Sequence, residues 1–125
     1  MSARLRRPMR FMPSRTAIAA LRDILHHIDL ARRFVEGLER PAFIEDTRTV
    51  YAVTRCLEII SEASRRLPDA LKVRHPGIPW KQMAGAGNVY RHDYEDVAAR
   101  YVWDTVLRDL PPLRAVIQHE IDALD

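Results

Sequence analysis

A long run of apolar residues spaced three and four apart is the feature that most constrains this chain. The run follows Ser14, a residue type that caps helices, and continues to about Leu38. Its members are Ile18, Leu21, Ile24, Leu25, Ile28, Ala31, Phe34, Val35 and Leu38. This spacing puts the apolar side chains on one face of an α-helix of about seven turns. Other helices must cover that face.

Proline, glycine and capping residues divide the rest of the chain into further helices. Pro41 ends the first helix, and Asp46 or Thr47 caps the second. The expected helices cover residues 47–67, 79–93 and 96–110, with Asp96 as a cap and short turns at 42–45 and 69–73. At Pro111-Pro112 either the fourth helix kinks or a new helix begins. No segment alternates as a strand would, so the prediction is an all-α, up-down bundle of four to five helices.

Composition and charge exclude several classes of protein. The chain has 125 residues, 47% of them hydrophobic, which fits one folded domain and rules out wholesale disorder. The single cysteine, Cys56, excludes a disulfide framework and a multi-cysteine zinc site, and is expected to be a buried small hydrophobe. No apolar run approaches the roughly 18 residues of a membrane span, and no secretory signal is evident. We therefore expect a cytoplasmic protein.

The net charge of +3 comes from a short N-terminal segment. Four arginines and no acidic residue lie within Met1–Phe11, which leaves 16 basic and 17 acidic residues in the remainder. We expect residues 1–11 to be a disordered basic extension and residues 12–125 to form the helical domain. Because that domain is nearly neutral, any contact with nucleic acid must be local.

Two groups of polar residues could form sites, but their spacing favours ordinary structural roles. Adjacent His26 and His27 point about 100° apart on a helix, and no metal-binding spacing occurs elsewhere, so we expect no metal site. Glu58 and Glu62 lie one turn apart, which suits acid–base chemistry or Mg²⁺ but equally suits ion pairs with nearby arginines. Glu62 stands among small residues that would allow another helix to approach closely, and it remains a supporting candidate.

The segment from Gly85 to Tyr94 is the least ordinary part of the chain. Two glycines inside an expected helix, Gly85 and Gly87, each cost about 1 kcal/mol relative to alanine and indicate close backbone approach. Asn88 and His92 share a helical face. An imidazole can act as general acid or base on an RNA 2′-hydroxyl, while Asn and Arg91 can hold the phosphate. These groups suffice for RNA cleavage without a metal ion.

The chain resembles the HepT-like family of the HEPN superfamily, small α-helical toxins and nucleases. The resemblance runs from about Met12 to Leu124. It is carried by Leu21–Leu25, Ile60–Ser64, Ile78–Trp80 with Met83–Gly85, and Val102–Val106 with Asp109–Leu113. The family motif is Arg, four residues, His, one residue, Tyr. His92 and Tyr94 match this motif and Asn88 matches its polar position, but Gly87 stands where the motif has arginine. Arg91 is a candidate substitute for that arginine.

The resemblance implies a homodimer with a ribonuclease site in the cleft between two motif helices, and no cofactor. It also implies a toxin–antitoxin system in which a nucleotidyltransferase antitoxin attaches AMP to the motif tyrosine, here Tyr94. The leading hypothesis is thus a metal-independent endoribonuclease with His92 as general acid/base and Asn88 and Arg91 on the phosphate. Because of Gly87 we expect weak or tightly controlled activity. The alternatives are a catalytically impaired module that dimerises and binds nucleotide or partner, and a purely structural bundle.

Overall fold

The computed structural model describes residues 14–92 and 95–124, and of these it describes the side chains outside 87–98. All its regular elements are helices, joined by short loops, and no strand occurs within the described residues. They are α1 (Arg15–Val35), α2 (Arg40–Glu45), α3 (Thr47–Arg65), α4 (Asp69–Arg74), α5 (Trp80–His92), α6 (Glu95–Asp104), a π-helical turn (Thr105–Asp109) and α7 (Leu110–Asp122). The all-α prediction is confirmed, whereas the proposed extension at residues 1–11 lies outside the described residues.

The two longest helices, α1 and α3, pack against each other and form the centre of the bundle. The Ser14 hydroxyl caps α1 by accepting the N–H of Ala17 at 3.1 Å, as the sequence predicts. The helix ends at Val35, three residues before the predicted end, because Gly37 adopts a φ of +80° that glycine tolerates without steric cost. Asp46 caps α3 by accepting the N–H of Thr49 at 3.2 Å.

The apolar faces predicted from the sequence form one continuous core. Its buried members come from α1, from α3 and from the C-terminal helices, and include Leu21, Ile24, Ile28, Val53, Leu57, Ile60, Val102, Val106, Leu113 and Ile117. Phe34 was expected in the stripe of α1, but its side chain is 39% exposed. Phe43, expected in a short turn, is instead fully buried on α2. The short helix α2 is therefore part of the core.

The Pro111-Pro112 pair is accommodated without a break in the helical backbone. The π-helical turn widens the helix just before it, and the N–H of Leu110 bonds to the Thr105 carbonyl, five residues back. Helix α7 then begins with proline in its first turn, where a missing N–H is tolerated. The sequence left open a kink or a new helix; in the structure the helical backbone runs on through both prolines, with α7 directly following the π-helical turn. The predicted cap Asp96 was wrong, because α6 already begins at Glu95.

Candidate functional site

Three of the predicted site residues, Asn88, Arg91 and His92, lie on α5. This helix extends without interruption through His92, so its regular spacing sets Asn88 and His92 one turn apart. The fourth, Tyr94, lies outside the described residues, as do the side chains of the other three. The half of α5 whose side chains are described, residues 80–86, positions the rest of the helix.

The first turns of α5 are anchored on the core. The indole N–H of Trp80 donates to the carbonyl of His75 at 2.9 Å, which ties the helix start to the preceding loop. Ile78 is buried just before the helix, while Trp80, Met83 and Ala86 pack against the core. These contacts on one side of α5 fix its rotation, because turning the helix would expose them to water.

Helix α3 also holds α5 through a main-chain carbonyl. The Ala84 carbonyl accepts hydrogen bonds from Ser61 Oγ at 3.1 Å, Arg65 Nε at 3.0 Å and Arg65 Nη2 at 2.6 Å. Ser61 and the small residues Ala63 and Ser64 are buried, and α3 packs against α5. The close helix approach expected at this small-residue segment is confirmed. At Gly85, by contrast, nothing from the described residues beyond its own helical turn lies within 4 Å of where a Cβ would stand, so the close approach expected there is not found within the chain. The role of Arg65 was not predicted, since spacing along one helix gives no information about its neighbour.

The acidic pair Glu58 and Glu62 forms ion pairs. Glu58 lies 3.5 Å from Arg55, and Glu62 lies 2.9 Å from Arg66, whose guanidinium also reaches Asp23 at 3.3 Å. Glu62 is 72% exposed at its side chain, so this surface pair contributes little to stability. The interpretation of these carboxylates as partners for arginines is confirmed. The supporting role suggested for Glu62 at the site stays a prediction.

A buried carboxylate lies on α7, where the sequence pattern predicted no site. Glu120 on α7 is 6% exposed, and it accepts from Arg74 at 2.7 Å and pairs with His75 Nε2 at 2.6 Å. Burial raises the pKa of Glu120, but the hydrogen bonds from Arg74 and His75 outweigh burial and leave that pKa below its ordinary value. Because Trp80 bonds to His75, Glu120 indirectly supports the start of α5.

The lowered pKa of Glu120 predicts an acid-dependent loss of stability. A carboxyl whose pKa is lower in the folded state stabilises the fold above its unfolded pKa, and that stabilisation disappears as pH falls through the folded pKa. Glu120→Gln removes this charge at every pH. We therefore expect the variant to melt well below the wild type at pH 7 and the gap to shrink toward pH 3. Thermal melts followed by circular dichroism would measure both. A gap that stays constant over this range would contradict the assignment.

An apolar cavity of about 260 Å³ lies between α3, α5 and the π-helical turn. Its walls are mainly hydrocarbon, from Leu57, Ile60, Met83, Leu110 and Leu113, with Gln82 and Asp109 among the polar members. Such a lining suits an apolar group and not a phosphate. The cavity is therefore distinct in chemistry from the polar face expected of Asn88 and His92.

The described residues contain no cluster of three or more His, Cys, Asp or Glu side chains able to hold a metal ion. His27 Nδ1 lies 2.7 Å from the Asp23 carbonyl, which accounts for one of the adjacent histidines. Cys56 is buried, and burial raises the pKa of its thiol, as expected for a small hydrophobe. None of the described helices is long and apolar enough to cross a membrane.

Comparison with known proteins identifies the family of this helical domain. The family model described as "Ribonuclease HepT-like" matches residues 17–120. "Probable ribonuclease HepT" of Thermococcus cleftensis is 40% identical over 94 residues, covering 75% of this chain and 86% of that protein. "Putative RNase MJ1216" of Methanocaldococcus jannaschii is 36% identical over 103 residues, covering 82% and 85%. No solved structure matches the chain significantly. The chain belongs to the HepT-like ribonuclease family of HEPN proteins.

Proposed function

We propose that this protein is a metal-independent endoribonuclease that acts as a homodimer in the cytoplasm. The observation that carries the proposal is membership of a ribonuclease family over residues 17–120, combined with Asn88, His92 and Tyr94 at three positions of the family motif. The continuous helix through His92 supports it, because Asn88 and His92 then share one face. Two copies of α5 facing each other would form the cleft that binds a single RNA strand.

His92 is the general acid/base of the proposed reaction. A neutral imidazole takes the proton of the RNA 2′-hydroxyl, the 2′-oxygen attacks phosphorus, and the bond from phosphorus to the 5′-oxygen breaks. The leaving 5′-oxygen takes a proton from an imidazolium, for which the two-fold site supplies a second copy of His92. Asn88 and Arg91 bind the phosphate oxygens, on which negative charge accumulates. The products are a 2′,3′-cyclic phosphate and a 5′-hydroxyl.

Tyr94 is the proposed point of control. A nucleotidyltransferase antitoxin would transfer AMP to its hydroxyl, two residues from His92. The added phosphate carries negative charge and bulk into the position that the RNA phosphate must occupy, so modification would prevent binding. This places the protein in a toxin–antitoxin system, with RNA and the transferase as its two partners.

Product analysis tests the proposal in one experiment. We expect the wild-type protein to cleave single-stranded RNA in the presence of EDTA and to leave 5′-hydroxyl ends, which polynucleotide kinase labels without prior phosphatase treatment. DNA of the same sequence serves as the control, because it lacks the 2′-hydroxyl nucleophile. Cleavage that requires added Mg²⁺, or that yields 5′-phosphate ends, would contradict the mechanism.

A second candidate function is a catalytically impaired module that dimerises and binds a nucleotide or the transferase. The observation that favours it is Gly87, which removes the motif arginine from its usual position. If Gly87→Arg creates cleavage in a protein that is otherwise inactive, this second function is the correct one. Cleavage by the unmodified protein in EDTA excludes it.

A further inference from the structure

We propose that Arg65 of α3 supplies the phosphate-binding cation that the family motif carries at the position of Gly87. The inference rests on the proposed function, since it assigns one more RNA contact to the same site. Arg65 is not part of the family motif and lies on α3, and its contact is tested by RNA binding and not by product analysis. The motif comes from one helix, whereas this cation reaches the site from a neighbouring helix.

The Arg65 guanidinium is bound to the main chain of α5. Its Nε and Nη2 donate to the Ala84 carbonyl at 3.0 and 2.6 Å. In an α-helix the carbonyl of residue 84 points toward residue 88, four residues along the chain. The guanidinium therefore lies beside the turn of α5 that contains Gly87 and leads to Asn88.

The Arg65 guanidinium occupies the surface that an arginine at residue 87 would cover. Side chains on a helix lean toward its N-terminus, so a residue covers the surface over the turn that precedes its own Cα. An arginine at 87 would thus extend over residues 83 and 84, where the Arg65 guanidinium is bound. Glycine at this position has no side chain that would cover that surface. Arg65 of α3 therefore places a positive charge where α5 lacks the motif arginine.

The Arg65 guanidinium is accessible to a phosphate. Arg65 is exposed, and no carboxylate pairs with it among the residues that the structure describes. A guanidinium has five N–H donors, and the bonds to Ala84 leave several of them for a phosphate oxygen. The adjacent Arg66 differs in this respect, because its charge is matched by Glu62 at 2.9 Å and by Asp23 at 3.3 Å. The two neighbouring arginines thus form a matched pair for experiment.

The decisive measurement is binding of a fluorescent single-stranded 2′-O-methyl RNA oligonucleotide, which cannot be cleaved. Arg65→Gln and Arg66→Gln each remove one positive charge from the full chain. We expect Arg65→Gln to raise the Kd about tenfold and Arg66→Gln to raise it less than twofold, because of these two arginines only Arg65 is placed to contact phosphate. Arg65→Gln should also reduce the slope of log Kd against log salt by about 0.7, the value for one lost phosphate contact on a single strand. Equal effects of the two substitutions would overturn the proposal.

Rescue by a second substitution distinguishes phosphate binding from a purely structural bond to Ala84. We expect Gly87→Arg in the Arg65→Gln background to restore RNA affinity to within about threefold of the wild type, since it returns a cation to the same surface. A structural defect at Ala84 would persist in this double variant, so a lack of rescue in a protein with a native circular dichroism spectrum would refute the inference. Should Arg65→Gln fail to fold, Arg65→Ala is compared with Arg66→Ala, since alanine removes the charge and favours the helix, and equal affinities again refute the inference.

Cleavage assays on the same variants separate this inference from the proposed function. If the wild type cleaves RNA and Arg65→Gln behaves as Arg66→Gln does, the inference fails and the ribonuclease function stands. If the wild type binds the oligonucleotide through Arg65 but cleaves no RNA, the proposed catalysis fails and the phosphate contact stands. Each result identifies which of the two statements is wrong.

Discussion

Replacing His92 with alanine is expected to lower the rate of RNA cleavage by about 10²–10⁴-fold. This is the usual contribution of a positioned general acid or base. Imidazole is the side chain that changes charge between about pH 5 and 8, so the wild-type rate should depend steeply on pH in this range. The variant should show a flatter profile. Initial rates on a labelled RNA from pH 5 to 9, measured for both proteins at equal concentration, would give both quantities.

The matched control for this experiment is His26→Ala. His26 lies on α1, is exposed, and has its ring against that of His27 at a centroid distance of 4.9 Å. It therefore reports what removal of a surface imidazole does to the protein without touching the proposed site. Similar rates for the His92 and His26 variants and the wild type would show that His92 takes no part in proton transfer.

Replacing Phe43 with alanine is expected to destabilise the fold by about 3–5 kcal/mol. Deleting a buried aromatic ring removes its transfer free energy and leaves a cavity that the surroundings fill only in part. Phe43 is fully buried, and its ring packs on Trp103 of α6 with a centroid distance of 5.2 Å. It is also the buried residue of α2, so its loss would release that short helix from α6.

Phe34→Ala is the control for this prediction, because it deletes the same ring from a side chain that is 39% exposed. We expect its effect on the free energy of unfolding to be well under half that of Phe43→Ala. Urea denaturation followed by tryptophan fluorescence would compare the two, since Trp103 lies next to Phe43. Equal destabilisation by both substitutions would show that α2 is not held by its buried ring.

Local sequence rules accounted for most of the secondary structure. Caps and breakers act over a few residues, which is why Ser14 and Asp46 correctly predicted the starts of α1 and α3. The end of α1 was predicted too late because the apolar period continues past Gly37, where the backbone has already left the helix. The effect of the proline pair could not be predicted uniquely. Proline has no N–H to donate, and both a kinked helix and a new helix that begins with proline accommodate that loss.

The candidate site likewise has one part that the sequence predicts and another part that depends on how the helices pack. The spacing of Asn88 and His92 is a property of one helix, so the sequence alone places them one turn apart on a common face. The Ala84 carbonyl, Ser61 and Arg65 come from two helices about 20 residues apart, and no periodicity within either helix relates them. The same is true of Arg74, His75 and Glu120, which a salt bridge joins across 46 and 45 positions.

The sequence by itself determined that this protein is a helical bundle, where its longest helices begin, and which motif residues it retains. Those features depend on contacts between residues three or four apart and on the identity of single side chains. Only the tertiary structure decided that Phe43 is core and Phe34 is not, and that of the adjacent Arg65 and Arg66 one is paired with acids while the other lies against the motif helix. Which helix faces are brought together depends on how the whole chain packs, because burial is settled by the sum of all apolar contacts.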